Sequence, residues 1–188
     1  MTSTKSRIIA VGATVALTVG LDQWTKQLAI EHLKGRPPIY YLGDYFNFTY
    51  AQNTGAFLSL GEDLGPVWKP ILLNAVPALL LVGLLYYIFK EKGMSRWQVI
   101  ALSLIVGGGL SNIIDRFVYG HVVDMLHIQL TDTLQTGIFN VADMAIMAGM
   151  FIMLPFVFQR DKPEAEAVVD AVPKTEGEKA VEDLGGRG

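Results

Sequence analysis

Four aspartates stand where a soluble protein would have little reason to put them. Asp22, Asp115, Asp124 and Asp143 lie within or beside long apolar stretches, and a charge at the centre of a bilayer costs ~2.5–3.5 kcal/mol on insertion scales. Asp143, in Phe139-Asn140-Val-Ala142-Asp143, has a structural explanation. Asn140 as N-cap with Asp143 at the third helical position makes a variant capping box, at a helix end that favours acids. Asp124, in Gly120-His121-Val-Val-Asp124, reads by itself as a solvated acid on a re-entrant or surface turn. Taken together, the two point to chemistry, because they end adjacent apolar segments joined by a short loop. Two carboxylates brought face to face resist ionising together, so one keeps its proton near neutral pH. One can then activate water while the other protonates a leaving amine. No metal or thiol is needed: there is no cysteine, and His32, His121 and His127 are not spaced as a zinc motif.

The neighbouring polar residues read as support. Asp115-Arg116 is expected to be a charge pair that satisfies itself at the end of a span. Asn112, one turn earlier, faces the same way and can donate to a carboxylate. Asp22 and Lys26 are i,i+4 and pair directly, either as a mutually neutralised couple near a membrane surface or as a device that positions a loop or substrate.

Four stretches can carry these groups across a bilayer core, each apolar over the ~20 residues a helix needs: about 8–30, 70–89, 97–114 and 138–158. The second holds no charge from Ile71 to Phe89, and the third contains Gly107-Gly108-Gly109, a flat surface for a close neighbour. Seven basic residues flank one side of these spans (Lys5, Arg7, Lys90, Lys92, Arg96, Arg160, Lys162) and four the other (Lys34, Arg36, Lys69, Arg116), which places both termini in the cytoplasm. Trp24, Tyr40, Tyr41, Trp68 and Trp97 fall near the expected interfaces. In the outer loop 31–69, Tyr45-Phe46-Asn47-Phe48-Thr49-Tyr50 has the composition and period of a strand, before a turn at Asn53-Thr54-Gly55. The expected fold is membrane α-helical, four spans with a small extracytoplasmic β-element between the first two. Residues 1–160 form that domain. Residues 161–188, which hold eight of the 18 acids and no aromatic residue, form an acidic tail too polar to order itself. Without the tail the charge is nearly balanced, and nothing points to nucleic acid.

Five segments resemble the motifs of lipoprotein signal peptidases (signal peptidase II). Asp22-Gln-Trp-Thr-Lys26 is similar to that family's D-x-x-T-K, and Asn53-Thr-Gly55-Ala56-Phe57 to N-x-G-A-A-F. Gly108-Gly109-Leu-Ser-Asn112-Ile-Ile-Asp115-Arg116 is similar to G-G-x-x-G-N-x-x-D-R, Val123-Asp124 to V-V-D-F, and Phe139-Asn140-Val-Ala142-Asp143 to F-N-x-A-D. The resemblance implies an aspartic endopeptidase of the bacterial cytoplasmic membrane, acting as a monomer without cofactor and with its site toward the extracytoplasmic face. Its substrates would be prolipoproteins, cut before a diacylglyceryl-modified cysteine, and globomycin-type inhibitors and membrane lipids would be further partners. It assigns catalysis to Asp124 and Asp143. Support falls to Asp22, Lys26, Asn53, Gly55, Gly108, Asn112, Asp115, Arg116, Asn140 and Ala142, and the glycines of the third span would suit close approach of a small-residue substrate backbone. One alanine of the loop motif is missing, Ser111 stands where glycine is usual, and Met125 follows Asp124 in place of phenylalanine. The competing expectation is a small polytopic transporter or proton-coupled carrier, which calls for acids at the bilayer midplane and related halves.

Overall fold

The structure, a computed structural model, describes residues 4–43, 45–55, 65–131 and 133–158. The expected acidic tail and the Ala56-Phe57 part of the loop motif lie outside them. Residues 1–153 form one compact unit, and a second begins at Leu154.

Polar and apolar surfaces are arranged the reverse of a soluble core. Asp22, Lys26 and Asp115 are 0% exposed, whereas Leu79, Leu80 and Phe151 are 72%, 68% and 63% exposed. Among the described residues four helices are long and apolar enough to cross a membrane: α1 (Thr4–His32), α2 (Trp68–Lys90), α3 (Arg96–Tyr119) and α4 (Val141–Phe158). Within α2, Pro77 has no N–H to offer the carbonyl one turn back, and the backbone is π-helical over Ile71–Ala75 just before it. Half of the apolar window of α3 is buried, against 17% or less in the other three, so α3 is the central helix.

Three successive glycines make that position possible. Neighbouring residues on a helix point ~100° apart, and each glycine meets a different helix. A Cβ on Gly107 would stand 2.8 Å from Thr18 of α1, and one on Gly109 would stand 2.9 Å from Leu81 of α2. One on Gly108 would run into the Ala142 carbonyl of α4. These glycines are thus taken up by helix packing. The close helix approach read from the sequence is thus found, and the room for a substrate backbone that the resemblance implied is filled by these neighbours.

The expected β-element is present but larger. Strands β1 (Ile39–Tyr41) and β2 (Phe46–Asn53) pair antiparallel, and β2 pairs with a third strand, β3 (Val122–Ile128), contributed from between α3 and α4. The β2–β3 register runs Phe48↔Leu126 and then Ala51↔Asp124, so β2 holds one extra residue, a bulge. A one-residue shift moves every later side chain to the other face of a sheet. The bulge therefore puts Asn53, paired with Val122, on the same face as Asp124.

Candidate active site

Three turns of chain deliver the polar residues to one place. Helix α3 runs to Tyr119, five residues past its expected end, so Asp115 and Arg116 lie within it, and Gly120 closes it with φ 76°. The left-handed cap, which glycine adopts without strain, turns the chain into β3. After β3, Phe139 folds back beside Leu126, giving and accepting a 2.8 Å backbone bond. That places Asn140 next to Asp124 and starts α4 at Val141, three residues later than expected. Asp124 is therefore on a buried strand, not a solvated turn.

Asn140 joins the two candidate catalytic residues. Its Oδ1 accepts the Asp143 N–H at 2.9 Å and its own N–H donates to Asp143 Oδ2 at 3.3 Å, the reciprocal cap read from the sequence. The cap commits Oδ1, so the Nδ2 end is free to donate, and it does so to Asp124 Oδ1 at 2.6 Å. Structural and chemical readings of Asn140-x-x-Asp143 thus hold together. Asn53 works the same way: its Oδ1 accepts the Gly55 N–H at 3.0 Å and its Nδ2 donates to Asp124 Oδ2 at 3.1 Å. Asn112 is oriented from the other side. Lys26 Nζ donates to its Oδ1 at 2.9 Å, leaving Nδ2 to donate to Asp143 Oδ1 at 2.9 Å.

Lys26 is the hub beneath this layer. Its ammonium lies 2.6 Å from Asp22 Oδ2 and 2.9 Å from Asp115 Oδ2, all three side chains being sealed from solvent. The Asp22–Lys26 couple is thus buried and shared with Asp115 rather than neutralised by itself. Asp22 also accepts the Ala142 N–H at 2.8 Å, capping α4 from α1 and fixing the turn that carries Asp143. Asp115 accepts the Val123 N–H at 3.0 Å and so pins β3 one residue before Asp124. The expected Asp115–Arg116 pair does not form. Consecutive helix residues point different ways, and Arg116 Nη2 donates instead to the Gly55 carbonyl at 2.8 Å, holding the turn that carries Asn53.

Two residues escaped the sequence reading. Ser111 Oγ donates to Asp22 Oδ2 at 2.7 Å. Gln23 Nε2 donates to Asp115 Oδ1 at 2.7 Å and to Ser111 Oγ at 3.0 Å. The available signal was spacing: Ser111 and Asp115 are i,i+4 on α3. The departure at 111 therefore adds a bond to the site.

Asp124 is the carboxylate whose ionisation can be followed. Burial raises it from the usual 3.8 to about 7, with the charge of Asp143 adding to the rise and the Asn53 and Asn140 donors opposing it. The unfolded chain would lose this proton near 3.8 and the folded chain near 7. Stability from this group is therefore full below the lower value and declines as pH rises through that window.

Gly108 tests the packing that carries the site. Gly108→Ala must push α3 off Ala142, which accepts no methyl there, so we expect a loss of about 1–3 kcal/mol together with a fall in turnover. Gly20→Ala, which meets nothing within 4 Å, should leave both unchanged. Thermal unfolding and turnover measured on the two variants check this.

Fold and site define a multi-pass membrane protein with two hydrogen-bonded carboxylates held over one end of its helices. Residues 14–159 match the family model of signal peptidase (SPase) II. The lipoprotein signal peptidase of Streptococcus pneumoniae is 35% identical over 150 residues, spanning 80% of this chain and 92% of its own. That of Enterococcus faecalis is 32% identical over 151 residues, spanning 80% and 89%. A solved bacterial membrane enzyme superposes with a TM-score of 0.71 at 24% identity over 82% of this chain and 90% of that one. A second does so at 0.68 and 26% over 78% and 91%. The chain belongs to the signal peptidase II family, and is a bacterial membrane peptidase rather than a carrier.

Proposed function

We propose that this chain removes signal peptides from prolipoproteins, cutting before a diacylglyceryl-modified cysteine, with Asp124 and Asp143 as its catalytic dyad. The observation that carries the reading is the pair of carboxylates joined through Asn140. A water held between them is deprotonated by the ionised member and attacks the scissile carbonyl. The protonated member then gives its proton to the departing amine of the cysteine. Asn53, Asn112 and Asn140 keep both carboxylates aimed, while the lattice of Asp22, Lys26 and Asp115 fixes the elements that carry them. The dyad lies in the outer part of the cytoplasmic membrane with both termini inside, in keeping with the seven-to-four distribution of basic residues.

The direct test is to offer the purified chain a prolipoprotein with and without its diacylglyceryl group and to weigh the products. We expect cleavage before the lipidated cysteine alone. Equal cleavage of both precursors would remove lipid recognition from the reading, and cleavage of neither would remove the substrate.

The active dyad holds one proton, so turnover should fall as pH rises past about 7, where Asp124 loses it. Asn53→Ala deletes a donor that favours the ionised carboxylate, and should move that falling limb to higher pH. Rate profiles of kcat/KM for the two proteins decide this, and an unmoved limb would detach it from Asp124.

A further inference from the structure

The opposite end of the helices carries a second feature. Arg7 and Asp22 are fifteen residues apart on α1, roughly 22 Å at 1.5 Å per residue, so Arg7 lies at the other membrane face from the aspartate lattice. There the first turns of α1 and α3 border an open cavity of about 370 Å³, lined by Arg7, Arg96 and Trp97 together with Ala10, Val99 and Ile100.

No carboxylate pairs with the cations of this cavity among the described residues. Arg7 is 5% exposed, and its guanidinium donates to the backbone carbonyls of Ile88 at 2.8 Å and Glu91 at 2.6 Å. These carbonyls end α2 and offset part of the charge through its dipole, while the Arg7 Nε is buried with no acceptor. Among the described residues neither Arg7 nor Arg96 forms an ion pair. The α3 N-terminus adds to the field. Its cap, Ser95, and Gln98 satisfy each other, and the N–H groups of Arg96 and Trp97 have no acceptor within the helix, which makes that end electropositive. Arg96 itself is exposed beside Trp97, which is 65% exposed and suited to the headgroup level of a bilayer.

An occupant must therefore present an anion at the membrane face and an apolar chain running toward the bilayer centre. We propose that this cavity binds the headgroup phosphate and one upper acyl segment of an anionic phospholipid. Basic pockets between spans are general receptors for such headgroups. A free phosphate would meet the arginines but leave the apolar side unfilled.

Trp97 reports on the site. In a chain with Trp24→Phe and Trp68→Phe, bilayer nanodiscs containing phosphatidylglycerol brominated on its acyl chains should quench Trp97 saturably. Brominated phosphatidylcholine should quench it weakly and without saturation. Arg96→Gln should weaken the phosphatidylglycerol titration roughly fivefold, the effect of one basic group near the surface. Lys92→Gln removes the same charge from the same membrane face, outside the cavity, and should weaken it less than about twofold. Turnover in detergent should be equal in all of these proteins, since none of the substitutions touches the aspartate lattice. Equal quenching by the two lipids, equal weakening by the two substitutions, or displacement of the lipid by inorganic phosphate would overturn the proposal.

Discussion

Asp124→Asn and Asp143→Asn will each lower turnover of a lipidated prolipoprotein by about 10³-fold or more, with the fold intact. Positioned proton transfer contributes 10²–10⁴-fold, and each substitution removes a group that both stages of the proposed reaction require. An asparagine can neither take water's proton nor return one to the leaving amine. The isosteric change keeps the shape but only one of the two bonds at position 124, since Asn140 and Asn53 donate to different oxygens and an amide offers a single acceptor. The donor left without an acceptor should lower stability by about 1–3 kcal/mol, and Asp124→Asn should become less sensitive to pH between 4 and 7, the window in which the wild-type group titrates. Single-turnover rates on folded protein make the measurement. Near-normal turnover in either variant would take that aspartate out of the dyad.

The second large effect is on stability. Lys26→Met should destabilise the protein by about 3–5 kcal/mol, the range for leaving a buried charge without its partner. Two carboxylates lose their ammonium at once, and each keeps only neutral donors: Ser111 and the Ala142 N–H for Asp22, Gln23 and the Val123 N–H for Asp115. Adding Asp115→Asn to Lys26→Met should recover part of the loss, because it removes one uncompensated charge. Unfolding temperatures in a fixed detergent test both statements. A Lys26→Met protein as stable as wild type would mean that the lattice is not held by charge. Turnover should also fall in Lys26→Met, since Asn112 loses the shorter of the two bonds, from Lys26 and Asn140, that turn its Nδ2 toward Asp143.

What could be read from the residues depended on how local the cause was. The N-cap at Asn140 with Asp143 three residues on is a contact within one helical turn, and it forms as the spacing implies. The Asp22–Lys26 pair is also one turn apart and forms. The Asp115–Arg116 pair was expected from adjacency alone, and fails because neighbours on a helix diverge. The strand that holds Asp124 is not legible locally, because the short run Val122–Ile128 has no partner strand near it in the chain. Its partner, β2, lies some seventy residues earlier.

The sequence by itself determined that the chain crosses a membrane four times, that its acids must be justified, and which family motifs they belong to. Apolar length, insertion cost and spacing are properties of short segments, and no packing is needed to read them. Only the tertiary structure decided that Lys26 serves two aspartates, and that Asp22 caps a helix 120 residues away. It also decided that one extra residue in β2 turns Asn53 toward Asp124. Each of these is a contact between distant segments, set by how closely three glycines let the helices approach α3 and by where a bulge resets the register of a sheet.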